Sequence, residues 1–150
     1  MRMRIRWKGQ SPEDIRRKLE LMPPEVTGEA LREAVLKGAE IIREQAEANA
    51  RAIQRTGTLA SDIHAEINEK RTRPNRAEAV IGPGKKGWYG RLVESGHDIV
   101  RGTSKATRRV VGYAPPKPWL RPAGDAKRAE AEQMVFRELQ RRLEKVWRRR

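Results

Sequence analysis

The sequence predicts an α+β fold: a long N-terminal amphipathic helix and a C-terminal helix packed on a small antiparallel sheet of three to four short strands. Three observations carry this. Apolar residues recur at three-four spacing over about 28–54, alternate over about 62–81, and return to three-four spacing over about 122–147. Strands grouped together, with helices kept apart from them, make α+β rather than α/β. At 150 residues the chain has the length of a single domain, 1–150.

Residues 1–10 begin with Met3, Ile5 and Trp7 alternating with Arg2, Arg4, Arg6 and Lys8, so they form either an edge strand or a basic arm. Ser11 as cap, Pro12 at the first helical position and the acids Glu13 and Asp14 then start a short helix that Pro23-Pro24 stops. Thr27 caps the long helix, about Gly28 to Gln54. Its apolar face is Leu31, Ala34, Val35, Gly38, Ile41, Ile42, Ala46, Ala48, Ala52 and Ile53. Its other face mixes Arg32, Lys37, Arg43 and Arg51 with Glu33, Glu40, Glu44 and Glu47, a pattern unlike a nucleic-acid reader. Segments 62–69 and 77–81 alternate around a basic turn and form a hairpin.

Gly82 to Gly87 is a turn, and the apolar run Trp88–Val93 is a buried short strand or single helical turn. Residues 95–106, rich in Gly, Ser, Thr and charge, read as a mobile loop, and Arg109–Tyr113 as a last strand. Ala114-Pro115-Pro116-Lys117-Pro118 is held extended by its prolines. The last helix runs from about Pro122 to Trp147 with Ala126, Ala129, Gln133, Phe136, Leu139, Leu143, Val146 and Trp147 as its stripe, and 148–150 form a frayed basic tail.

Composition narrows the function. Only 37% of residues are apolar and 36% are charged, against about 45–50% and 25% in typical domains, so stability is expected to be completed by packing against other chains. With no cysteine, thiolate metal sites and disulfides are excluded. No apolar run reaches the ~18–20 residues of a membrane span, and the basic N-terminus lacks the apolar core of a secretory signal. A net charge of +14 attracts polyanions or acidic partner chains.

Catalytic constellations are not evident. His64 and His97 lack further ligands at metal spacing, and Ser61, Ser95 and Ser104 lack a nucleophile elbow. Gly82-x-Gly84-x-x-Gly87 has phosphate-loop spacing but a proline inside and no following helix. Asp62, Glu66 and Glu78 could approach on a hairpin, as an ordinary strand surface would bring them. Glu94, among apolar neighbours, is expected partly buried and ion-paired to an arginine rather than acting as a general acid. No catalytic residue, metal or cofactor is therefore assigned. The basic clusters, among them Lys70, Arg71, Arg73, Lys85, Lys86, Arg108 and Arg109, are scattered rather than gathered in one recognition element. They would touch phosphates or acidic partners without reading sequence.

Three stretches taken in order resemble a known family. They are Thr56-Gly57-Thr58-Leu59-Ala60-Ser61-Asp62-Ile63, then Gly87-Trp88-Tyr89-Gly90-Arg91-Leu92-Val93-Glu94-Ser95-Gly96, then Ala114-Pro115-Pro116-Lys117-Pro118-Trp119-Leu120-Arg121-Pro122-Ala123. The chain resembles, over about 28–145, the neck or tail-completion family of siphophages, small tail components similar to minor tail protein Z. Gly90 stands where that family usually has Ala, and Trp119 where it has Phe. Ser61-Asp62-Ile63 carries one extra residue, and Gly124 replaces an apolar position. The resemblance implies a non-enzymatic virion protein at the head–tail junction, made in the host cytoplasm. Copies would form a six-fold ring between head connector or adaptor and tail terminator or tube, with DNA passing through the lumen and no membrane involved. Interface candidates are Gly57, Leu59, Trp88, Tyr89, Glu94, Gly96, Pro118, Trp119, Arg121 and Pro122. Arg121, a cation before a helix start, calls for an external partner, Glu94 or a neighbouring subunit. The competing reading is a stand-alone basic nucleic-acid-binding protein.

Overall fold

The computed structural model describes residues 3–6, 17, 20–21, 23–53 and 56–148. Arg17 and Glu20 are helical; most of the helix expected over 12–22 and part of the basic arm lie outside the described residues. Strand β1 (Met3–Arg6) realises the edge-strand reading of the N-terminus. Helix α1 (Pro24–Ile53) starts earlier than its sequence signals suggest. Pro24 does not merely stop what precedes it. It occupies the first helical position, where a missing N–H costs nothing. Thr27 consequently falls inside the first turn, and its hydroxyl donates back to the Pro23 carbonyl at 3.2 Å instead of capping.

A 3₁₀ turn (Ala60–Asp62) leads into β2 (Ile63–Ile67), which pairs antiparallel with β3 (Glu78–Pro83), the expected hairpin. β1 pairs with the other side of β3, giving the order β1-β3-β2. Helix α2 (Gly90–Ser95) follows, then β4 (His97–Arg101), β5 (Arg109–Ala114) and α3 (Leu120–Trp147). The stretch expected as a loop over 95–106 thus contains a strand. β4 and β5 form a second, two-stranded antiparallel sheet, so among the described residues five strands in two sheets replace one sheet of three to four, within the expected α+β class.

The core has α1 at its centre. Leu31, Ala34, Val35, Ala39, Ile42, Ala46 and Ala50 are buried, and α1 packs against both the three-stranded sheet and α3, while α3 reaches that sheet chiefly at β1. Ala48 and Ala52, assigned to this face by spacing, are exposed. The face of α3 keeps Leu139 and Leu143 as expected but departs from the expected stripe in its first half. Ala123, Ala131, Val135, Leu139 and Leu143 are buried, and Ala126, Ala129 and Gln133 are exposed. Close approach fixes the rotation. A Cβ on Gly38 would lie 2.6 Å from Val135 Cγ2 and 2.9 Å from the Ala131 carbonyl oxygen, so only glycine lets the two helices meet there.

A buried carboxylate sits in the same seam. Glu138 receives Lys37 Nζ at 3.0 Å, Arg141 Nη2 at 2.6 Å and Arg142 Nε at 2.9 Å, and Arg142 also pairs with Glu33. The hydrogen bond from Arg141 is the main influence holding Glu138 below the usual carboxylate range, with Lys37 adding to it. Charge pairing across the seam specifies which faces meet, where alanine-rich stripes alone would leave them ambiguous.

Candidate functional site

The three sequence stretches fold onto one another. Gly57 has φ +81°, a left-handed residue between α1 and the 3₁₀ turn, and Leu59 behind it is fully buried. Asp62 holds the turn after β3. Its carbonyl accepts the Gly84 N–H at 2.7 Å, and Oδ2 accepts the Gly87 N–H at 2.6 Å. Oδ1 lies 3.1 Å from His64 Nε2. The Gly87 bond, followed by the His64 bond, pulls the Asp62 carboxyl below its ordinary value. A Cβ at Gly84 would come within 2.7 Å of Asp62 Oδ1. The glycine spacing that mimics a phosphate loop therefore serves a carboxylate of the same chain.

Glu94 joins the second stretch to the third. It is buried, and both oxygens accept backbone N–H groups at the start of α3. Oε2 takes Trp119 at 2.7 Å and Leu120 at 2.9 Å, and Oε1 takes Arg121 at 3.0 Å. These are among the first amides of a helix, which have no partner inside it, and the positive end of the helix favours a carboxylate. The expected arginine pairing of Glu94 is replaced by this cap in trans. Arg121 meets Glu94 through its backbone, and its side chain is exposed.

Trp119 seals the junction. Its indole N–H donates to the Gly90 carbonyl at 3.0 Å, its own carbonyl accepts from Asn49 Nδ2 at 3.0 Å, and Lys117 N–H donates to Val93 O at 2.8 Å. Gly90 is pressed between Leu59 and Trp119, since a Cβ there would lie 2.5 Å from Leu59 Cδ1 and 3.1 Å from Trp119 Cζ2. The absence of a side chain at Gly90 is what makes room for the indole of Trp119 and for Leu59. Asn49 was not singled out by sequence, because a polar residue on a mixed helix face carries no signal of a partner seventy positions away.

Not all the named residues converge. Trp88 is 64% exposed and Leu92 37%, against the expected burial of this run, with Tyr89 half-buried and edge-on to Trp88 at 6.3 Å. Pro118 and Pro122 are exposed. Gly96, at φ +73°, turns the chain out of α2, and a Cβ there would strike the Tyr113 hydroxyl. Beyond it the β4–β5 hairpin stands off the body with Ile99, Val100, Val110, Val111 and Tyr113 exposed.

The basic residues fall in separate places. Lys70, Arg71 and Arg73 lie in the turn before β3, Lys85 and Lys86 in the turn after it, and Arg108 and Arg109 toward the tip of the β4–β5 hairpin. The first two groups are thus parted by the length of β3, about 20 Å for a strand of its size. Asp62 and Glu78 likewise sit at opposite ends of the β2–β3 ladder. Among the described residues no group of three or more His, Cys, Asp or Glu is placed to hold a metal ion, and no helix is long and apolar enough to cross a membrane.

The profile of the family described as "Bacteriophage HK97-gp10, putative tail-component" matches residues 13–96. That span takes in α1, β2, β3 and α2 and ends at the root of the β4–β5 hairpin. Neither curated proteins nor solved structures give a match.

Proposed function

The chain belongs to the HK97-gp10-like family of bacteriophage tail components, and from that membership we propose that it is a non-enzymatic structural protein of the neck. Copies of it form a closed ring that joins the head connector to the tail terminator or tube. The observation that carries the proposal beyond the family is the β4–β5 hairpin. Five large apolar side chains are exposed on an element that, among the described residues, has its main packing between its own two strands. A two-stranded sheet is marginal in water without a covering partner, and apolar exposure gathered in one place marks an interface.

The proposal also accounts for the charge. Basic turns distributed over the surface suit a subunit with polar neighbours and a DNA-bearing lumen better than a single recognition element. Particles assembled in a host without this gene test the reading. Filled heads and separate tails, joined again when the gene is supplied, are expected. Normal tailed particles in its absence would contradict a role at the junction.

A further inference from the structure

Among the described residues the hairpin lacks a cover, and the main sheet has an open side. β2 ends the order β1-β3-β2. Its register settles which backbone groups are free there. Gly84 N–H bonds to Asp62 O and Asn68 N–H to Glu78 O, so even-numbered residues of this ladder face β3. Ile63, Ala65 and Ile67 therefore direct their N–H and C=O groups away from β3, to the open side. Their side chains belong to the apolar face of the sheet, where Ala65 and Ile67 are only partly buried. The exposed side chain between them is Glu66, and among the described residues no ion pair is made by it.

The hairpin is complementary on three counts. It has strands with unpaired outer edges. Val100 and Val110 are partners across it, with Tyr113 two pairs along opposite Asp98, all of them apolar area without a cover. Arg101 and Arg109 are paired across its distal half, and among the described residues neither makes an ion pair.

We infer that the β4–β5 hairpin of one copy seats on the β2 edge of a second copy, extending its sheet, with Arg101 and Arg109 meeting Glu66. The inference rests on the ring reading and supplies its contact. It is a head-to-tail interface, in which the donor surface and the acceptor surface are different parts of the chain. Such interfaces close into rings when the rotation between copies allows. Strand addition gains main-chain hydrogen bonds, and the side chains set the register.

Shortening the arm and swapping the charge test this together. His97 and Ala114 are cross-strand partners, so a two-residue Asn-Gly turn can replace residues 98–113 without moving either end. Light scattering of the full chain is expected to show an assembly, and of the shortened chain a monomer whose circular dichroism keeps the helical signature of the full chain and which melts below the assembly, because association stabilises the folded subunit. Glu66→Arg and Arg109→Glu should each weaken assembly at least tenfold, and the double exchange should recover most of the loss. An assembly that persists without the arm, or a double exchange no better than the singles, overturns this seat and leaves the ring standing. A full chain that is itself monomeric overturns both.

Discussion

At the scale of single residues, Glu94 sets how the second half of the chain is held. One carboxylate satisfies three amides at the start of α3, those of Trp119, Leu120 and Arg121, which would otherwise be buried or half-buried without partners. Loss of a cap costs about 1 kcal/mol and a stranded buried donor about 1–3. Glu94→Ala is therefore expected to remove about 3 kcal/mol, a fall in melting temperature of roughly 6–12 °C for a chain of this size. Glu94→Gln keeps an acceptor oxygen and should lose less than half of that, as thermal denaturation would show. Equal losses for the two substitutions would mean that packing, not capping, is the role of the side chain. Partial burial of Glu94 was legible from its apolar neighbours, and the structure buries it further. Its partners were not legible, because amides twenty-five positions away leave no mark on local spacing. Gly57 was legible for the opposite reason: a left-handed helix end is a local requirement.

At the scale of elements, the period of each segment gave its type, and tertiary contact decided its limits and its face. β2 and β3 were readable from alternation. β4 was concealed because its apolar pair Ile99-Val100 abuts a turn rich in Gly, Ser and Thr. The stripe of α3 was misplaced for a related reason. Alanines at 123, 126, 129 and 131 are equally small, and only the close approach at Gly38 selects among them. Gly38→Ala gains about 1 kcal/mol of helix propensity but overpacks against the Ala131 carbonyl, at a cost of about 1–3 kcal/mol. A net destabilisation in denaturant titration is expected, and an unchanged or raised midpoint would refute the close packing. Glu138 gives the seam an acid limit. Its folded pKa lies below the unfolded value near 4.5. The sign follows: its contribution is complete above the unfolded value and is lost as the pH falls through the folded one. Between about pH 5 and 3 the native protein should lose stability more steeply than Glu138→Gln, which starts lower by about 1–3 kcal/mol at neutral pH. Parallel pH profiles would exclude a charged Glu138 from the seam.

At the scale of the whole molecule, composition is the ground for expecting a chain that leans on others. A charged fraction of 36% leaves a core built mainly on one long helix. The three stretches that suggested a phage tail component fold into a single junction of Leu59, Gly90, Glu94 and Trp119, which explains why they occur together. That junction is internal, so these four are better read as the frame that aims the hairpin than as contact residues themselves. The surface proposed for contact is the hairpin, of which the sequence showed β5 and its basic residues but not the exposure of its apolar side chains, because exposed apolar residues in a strand read the same as buried ones. The central claim is that this polypeptide completes itself by joining copies into a closed body. Native mass spectrometry of the purified chain at micromolar concentration tests it most directly. A single closed multiple of the 17.2 kDa chain is the expected result, and a lone 17.2 kDa species at every concentration would contradict it.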